Sequence, residues 1–417
     1  MRHATQPPDE TAQSAHHPPL AEPHGDPAHD SELPSELHQR HGLGLTLFGG
    51  GARAAYQVGV LKGLSHAHPD LQIPYLTGIS AGAINAAHLS SQAGTFAERA
   101  ESLCDLWNAV DVDRVFETQS LPLLFRAACI GMRLSIGWAP TLDPLLSMVD
   151  SSPLKEFLTE SLGSHDLPGI QKNLDSGELQ AVALIALKYS TGQTISFCMG
   201  KEILDWERPM RRSQRERLTV DHIVASAALP LFFPPVEIGG EWYGDGGIRL
   251  TAPLAPAIHL GADKLLAIST RYRPERSDFD RPTFKGAPRA AQVLGSIVGA
   301  TFLDALDQDA EQLDRINGLL SKIPAKERRS LRPLRSLIIR PSEDLGRLAN
   351  DFEPKLPWMF RFFTRRLGTR KARSQELLST ILFQEDYIRL LLEIGERDGV
   401  AKSDALSELL ESDAATN

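Results

Sequence analysis

Three short stretches of this 417-residue chain carry residue types that could do covalent chemistry together. The first is Gly78-Ile-Ser80-Ala-Gly82, a serine between two glycines. An apolar run from Tyr75 precedes it, and small apolar residues follow to Ala87. That order predicts a strand that turns sharply at Ser80 and leaves as a helix. Glycine at 78 and 82 leaves room where such a turn crowds its neighbours. Ser80 would then sit at a helix N-terminus, where free N–H groups favour developing negative charge. The second stretch is Gly49-Gly50-Gly51-Ala52-Arg53. The third holds Asp245, flanked by Gly244, Gly246 and Gly247, in a turn open enough for a carboxylate to approach another group closely. Together they suit a nucleophilic serine, a base to take its proton and N–H donors for an oxyanion.

The glycine loop has three readings. Gly49-x-Gly51-x-x-Ala54 fits a dinucleotide fingerprint in form, but no acidic residue closes a second strand at the expected distance. A phosphate-binding P-loop would need Gly-Lys-Ser/Thr, which does not follow. An oxyanion hole has a partner in Ser80, and we prefer it.

The base follows from what the chain lacks. In α/β-hydrolases the order is Ser, then Asp or Glu, then His. The last histidine here is His259, inside a helix-like run, and His222 lies at a short helix start. His88 follows Ser80 on the same predicted helix and would point away from the turn. The arithmetic favours a dyad in which Asp245 is the base, in a partly dehydrated site that raises its basicity.

The elements that must position these groups alternate strand and helix. Gly42 to Phe48 reads as a buried strand, and Ala54 to Leu64 as an amphipathic helix with Ala55, Val58, Leu61 and Leu64 on one side. Residues 71–77 read as the strand leading to Ser80. Helices follow over Ala81–Gln92 and Thr95–Val110, and a mixed, largely helical stretch over 111–175 suits a cap or plain core packing. Leu179–Lys188 and Thr194–Met199 read as adjacent strands, Val220–Ala228 as a short helix and Leu265–Ser269 as another strand. Helices are expected from Ala290 to Leu319, a last strand over Leu337–Arg340, and mostly helix beyond.

Composition narrows the class. The chain is 42% hydrophobic with a net charge of −9, which argues against general nucleic-acid binding. Cys104, Cys129 and Cys198 cannot all pair within the chain, have no Cys-x-x-Cys spacing and fit a reducing cytoplasm. No apolar run reaches the length of a membrane span; the richest, Leu121 to Trp138, is broken by Arg126 and Arg133. Residues 1–41, dense in Pro, His, Asp and Glu, read as a disordered tail. Near the other end, Leu356-Pro-Trp-Met-Phe-Arg-Phe-Phe363 precedes Arg365, Arg366, Arg370, Lys371 and Arg373. Over 356–373 this combination suits either peripheral contact with a membrane or a buried aromatic cluster beside a solvated basic helix.

Taken together, the three stretches resemble the patatin-like phospholipase family. Gly49 to Arg53 resembles its oxyanion loop, Gly78 to Gly82 its nucleophile elbow, and Asp245-Gly-Gly247 its aspartate motif. Ala225-Ser-Ala-Ala-Leu-Pro-Leu-Phe-Phe-Pro-Pro235 matches the pattern that precedes that motif. One position departs: Ala54 stands where the family commonly has glycine. The resemblance covers about 43–270. It implies an α/β fold, a three-layer α/β/α sandwich, over a catalytic domain at 42–270, with a mostly helical region at 271–417. It also implies a Ser80–Asp245 dyad acting on phospholipids or other acyl esters, with no metal or organic cofactor, and Gly50, Gly51 and Ala52 holding the oxyanion. Arg53 would hold the loop. Other classes compatible with the sequence are a catalytically silent lipid- or protein-binding scaffold and an acyltransferase or thioesterase on the same fold.

Overall fold

The computed structural model describes residues 41–115, 150–230, 232–273, 293, 299, 305–328, 331–352, 354 and 375–411. The expected tail up to residue 40, the run 121–138, Cys129, most of 290–304 and the stretch 356–373 lie outside the described residues.

Apolar strands with both faces covered read as continuous hydrophobic runs, and the centre of this fold is made of them. The strands are β1 (Leu43–Leu47), β2 (Tyr75–Ile79), β3 (Ala181–Lys188), β4 (Thr194–Gly200), β5 (Glu207–Arg208), β6 (Arg211–Arg215), β7 (Val236–Ile238), β8 (Glu241–Asp245), β9 (Lys264–Ile268) and β10 (Arg335–Ile339). They form one mixed sheet in the order β10-β9-β1-β2-β3-β4-β6-β5, with β8 pairing β3 and β7. The five strands β10, β9, β1, β2 and β3 are parallel, and β4 returns antiparallel to β3.

Side chains alternate between two cores. Leu45, Leu47, Leu76, Leu184 and Leu266 enter one, with α1 (Ala54–Ser65), α2 (Ala81–Ser91) and α3 (Phe96–Asn108) against it. Tyr75, Ile79, Ile185 and Leu265 enter the other, covered by helices Ala255–Leu260 and Ala305–Leu320 through Leu260, Leu306 and Leu313. The result is the expected α/β/α sandwich.

Three expectations change. α1 is buried all round, with only Lys62 left part-exposed, rather than along one side. Helix Glu385–Val400 covers its other side, backbone against backbone: a side chain at Gly59 would come within 2.1 Å of the Leu392 carbonyl oxygen. The strand before Ser80 starts at Tyr75 rather than Leu71 and runs on to Ile79, because Pro74 has no N–H to give the ladder with β1. The glycine-rich turn expected around Asp245 is the end of a strand, β8, followed by a 3-10 turn over Gly246–Arg249.

Residues beyond 270 share the central core. β10 extends the sheet beside β9, and Ile388, Leu391 and Ile394 pack into the same cluster as β1. Cys104 and Cys198 are buried, and burial pushes both thiols up to about 12. Among the described residues no helix is long and apolar enough to cross a membrane.

Candidate active site

One edge of β3 receives two strands in succession. β2 runs parallel to it as far as Ile79, opposite Ile185. β8 runs the other way, from Tyr243 opposite Lys188 to Asp245 opposite Ala186. The two strands therefore end facing each other at adjacent positions of β3. Ser80 follows the first and Asp245 closes the second, which brings hydroxyl and carboxylate together across 165 positions of sequence (245 − 80).

Ser80 has φ 55° and ψ −131°, a conformation that costs a non-glycine residue energy and persists only where its surroundings hold it. Two contacts do so. The Ser80 N–H donates to Ser226 Oγ at 3.0 Å, and that hydroxyl donates to the Ile185 carbonyl at 2.6 Å. On the far side of the turn, Gly82 sits against the end of β1, where a side chain would meet the Leu47 carbonyl at 2.2 Å. The glycine there is a close approach between backbones, as the motif predicts.

Asp245 has 0% exposure. Its Oδ1 accepts the Gly247 N–H at 2.8 Å. Oδ2 is buried without a hydrogen bond of good geometry, and the Ser80 hydroxyl is near enough to the carboxylate to draw its pKa down. Burial acts the other way and dominates, so the pKa is pushed up to about 7. A carboxylate of that basicity is matched to accepting a proton near neutral pH.

The glycine loop lies beside Ser80: a side chain at Gly49 would stand 2.7 Å from Ser80 Cβ. Gly50 and Gly51 take φ of 145° and 56°. Among the described residues their N–H groups donate to no protein acceptor, as a loop open to an anion requires. The loop is tied at both ends, by Thr270 Oγ1 donating to the Gly49 carbonyl at 2.8 Å and by the Arg53 N–H donating to Gly50 at 3.1 Å. Ala52 is fully buried. Ala54 opens α1 with ordinary helical φ of −65°, so this position needs no glycine.

Behind the loop runs a buried polar network. Gln57 on α1 donates to the carbonyls of Phe48 and Ile268, at the ends of β1 and β9. Asn85 on α2 donates to Gln57 Oε1 at 3.0 Å and accepts from Trp107 Nε1 at 2.7 Å. The network locks the two helices and the two strand ends into one frame. Sequence reasoning missed Gln57, Asn85, Ser226 and Thr270. The signal for the first two was a polar residue inside an otherwise small and apolar helix.

Ser80, Gly50 and Gly51 open onto a cavity that is partly open to solvent. Its walls are apolar, with Ile84, Trp107, Leu154, Phe157, Phe233 and Phe383 among them, and among the described residues no charged side chain lines it. Leu154 and Phe157 come from the 111–175 stretch, which suits a cap or plain core packing.

The histidines are engaged elsewhere. Burial pushes His88 down to about 4, and it pairs with Ser102 Oγ at 3.2 Å. His259 stacks on Trp206 at 4.5 Å and is also pushed down to about 4 by burial. His222 Nδ1 accepts the Thr219 N–H at 3.1 Å at the start of helix Val220–Ala227.

Comparison with known proteins gives one family match. Residues 45–258 match the family described as Patatin-like phospholipase. Comparison with curated protein sequences finds no match. Among solved structures, VipD from Legionella pneumophila is similar at 12% identity and TM-score 0.33, over 85% of this chain and 67% of that one. Human GIVD cytosolic phospholipase A2, in complex with methyl gamma-linolenyl fluorophosphonate, is similar at 14% identity and TM-score 0.41. That likeness covers 91% of this chain, which spans 61% of the human protein. The matched segment takes in just over half of the 417 residues and all three motif stretches, and the chain belongs to the patatin-like phospholipase family of lipid acyl hydrolases.

Proposed function

We propose that the protein hydrolyses acyl esters of lipids, phospholipid or lysophospholipid among them, with Ser80 as nucleophile and Asp245 as base. The observation that carries this is a fully buried carboxylate, pushed up to about 7, beside a serine at the wall of an apolar cavity. Asp245 takes the Ser80 proton as Oγ attacks the ester carbonyl. The negative charge that develops on the carbonyl oxygen falls to the N–H groups of Gly50, Gly51 and Ala52. The ester C–O bond breaks, and the leaving alkoxide takes the proton from Asp245. Water then gives Asp245 a proton as it attacks the acyl-enzyme, and that proton returns to Ser80 Oγ as the fatty acid leaves.

The cavity suits one acyl chain. Among the described residues its lining carries no charged side chain, which favours an acyl chain inside and a head group outside. Arg53 is buried and bonded within the protein, which favours a role in holding the loop. The proposed setting is the cytoplasmic side of a membrane, reached by peripheral contact through 356–373; its support is the aromatic and basic composition of that stretch.

The test is hydrolysis of a nitrophenyl ester and of phosphatidylcholine vesicles by wild type, Ser80→Ala and Asp245→Asn, each checked for folding. Loss of about 10³-fold or more in kcat in both variants is expected for residues that act as a unit. An inactive wild type, or a folded variant with full activity, contradicts the proposal.

A further inference from the structure

We infer that Ser379, through Arg53, is a positioning residue for the glycine loop, so that helix Gln375–Ile381 belongs to the reacting site. This rests on the oxyanion role proposed above for that loop. The helix lies well outside the matched segment 45–258. Arg53 is 4% exposed, and its Nε donates to Ser379 Oγ at 2.7 Å. Ser379 is fully buried, and its own proton goes to the Glu376 carbonyl at 3.0 Å. The hydroxyl is therefore oriented, with a lone pair left for the guanidinium. No carboxylate lies within ion-pair distance of Arg53 among the described residues, so Ser379 is the side chain that fixes where this buried cation sits.

The same helix meets the loop a second time. The Thr380 carbonyl oxygen occupies the space a side chain at Gly51 would take, 2.0 Å from its Cβ position. One turn of helix thus sets Gly51 by contact and, through Arg53 and its N–H bond to the Gly50 carbonyl, sets Gly50 as well. It also walls the cavity, through Thr380 and Ile381. A small shift of this helix would move both donors relative to Ser80 while leaving Ser80 and Asp245, held by β2, β3 and β8, in place.

The test compares Ser379→Ala, Ser379→Cys and Arg53→Gln, singly and with Ser379→Ala and Arg53→Gln combined, on nitrophenyl esters of increasing chain length. Cysteine keeps the branching of serine, though it is slightly larger, and replaces the oxygen acceptor with a weak sulfur one, so it decides the matter if Ser379→Ala does not fold. We expect kcat to fall about tenfold in the Ser379 variants, less than the ~100-fold cost of removing a donor outright. KM and its dependence on chain length should be unchanged. The double variant should be no slower than Arg53→Gln alone, because both changes remove one interaction. A folded Ser379 variant with kcat within about twofold of wild type, a change in KM alone, or losses that multiply would overturn the inference. Ser80→Ala is run beside them. If it is as active as wild type, the reading of the loop fails and the inference with it. If activity depends on Ser80 but not on Ser379, the inference alone fails.

Discussion

The backbone of Ser80 hangs from the side chain of Ser226, whose Oγ accepts the Ser80 N–H at 3.0 Å and donates to the Ile185 carbonyl at 2.6 Å. One buried hydroxyl thus joins the strained turn to β3, next to the position where Asp245 arrives. Ser226→Ala leaves two buried backbone groups without a partner, each worth about 1–3 kcal/mol. The expected outcome is a lower midpoint in urea and a reduced kcat, with the chain-length dependence of KM retained. Equilibrium unfolding and steady-state kinetics on the same preparation check both.

Asp245 should cost the fold stability at neutral pH. Burial raises its pKa from 3.8 to about 7, so between those values the folded state holds a proton that the unfolded state has released. Stability therefore falls as pH rises through that window and is level above it. Three units correspond to about 4 kcal/mol. Asp245→Asn removes the titration, while its amide oxygen still accepts the Gly247 N–H. The variant should be more stable than wild type at pH 8 and lose that advantage at pH 4, as read from denaturant midpoints.

The cavity predicts a chain-length series. Each methylene added to the substrate should lower KM about fourfold, from ~0.8 kcal/mol of burial per group, until the space is filled. Ile84 lies one turn of α2 beyond Ser80 and lines the cavity. Ile84→Trp should raise KM for long-chain esters while acetyl and butyryl esters are turned over as before.

The contact of α1 with helix Glu385–Val400 predicts an inverted helix-propensity effect. Alanine normally stabilises a helix by about 1 kcal/mol over glycine. At Gly59 its methyl would lie 2.1 Å from the Leu392 carbonyl oxygen, a backbone atom that cannot yield without moving the helix. Overpacking of that kind costs about 1–3 kcal/mol, so Gly59→Ala should lower Tm. A control at Gly318, where a side chain meets open space, should raise it.

The site was readable where chemistry and backbone geometry sit in adjacent residues. Ser80 between glycines and Asp245 among glycines advertise themselves, because a turn that tight admits few residue types. The strands β1, β2, β3 and β9 were readable as apolar runs bounded by glycine or proline. What sequence could not supply was pairing at a distance: Arg53 meets Ser379 across 326 positions, and neither letter differs from an exposed one. α1 misled for a related reason. Its glycines look like gaps in an apolar stripe, yet Gly59 and Gly63 are where the second helix lies closest. β8 was hidden because Gly244 and Asp245 are poor strand formers, held there by pairing with β3.

The most direct test of the central claim is covalent capture of the nucleophile by a long-chain alkyl fluorophosphonate, followed by peptide mass spectrometry across a range of pH. One adduct is expected, on Ser80, forming at a rate that rises with pH through about 7 as Asp245 loses its proton. Asp245→Asn should label slowly and without that rise. An adduct on another residue, or equal labelling by wild type and Asp245→Asn at every pH, would contradict it.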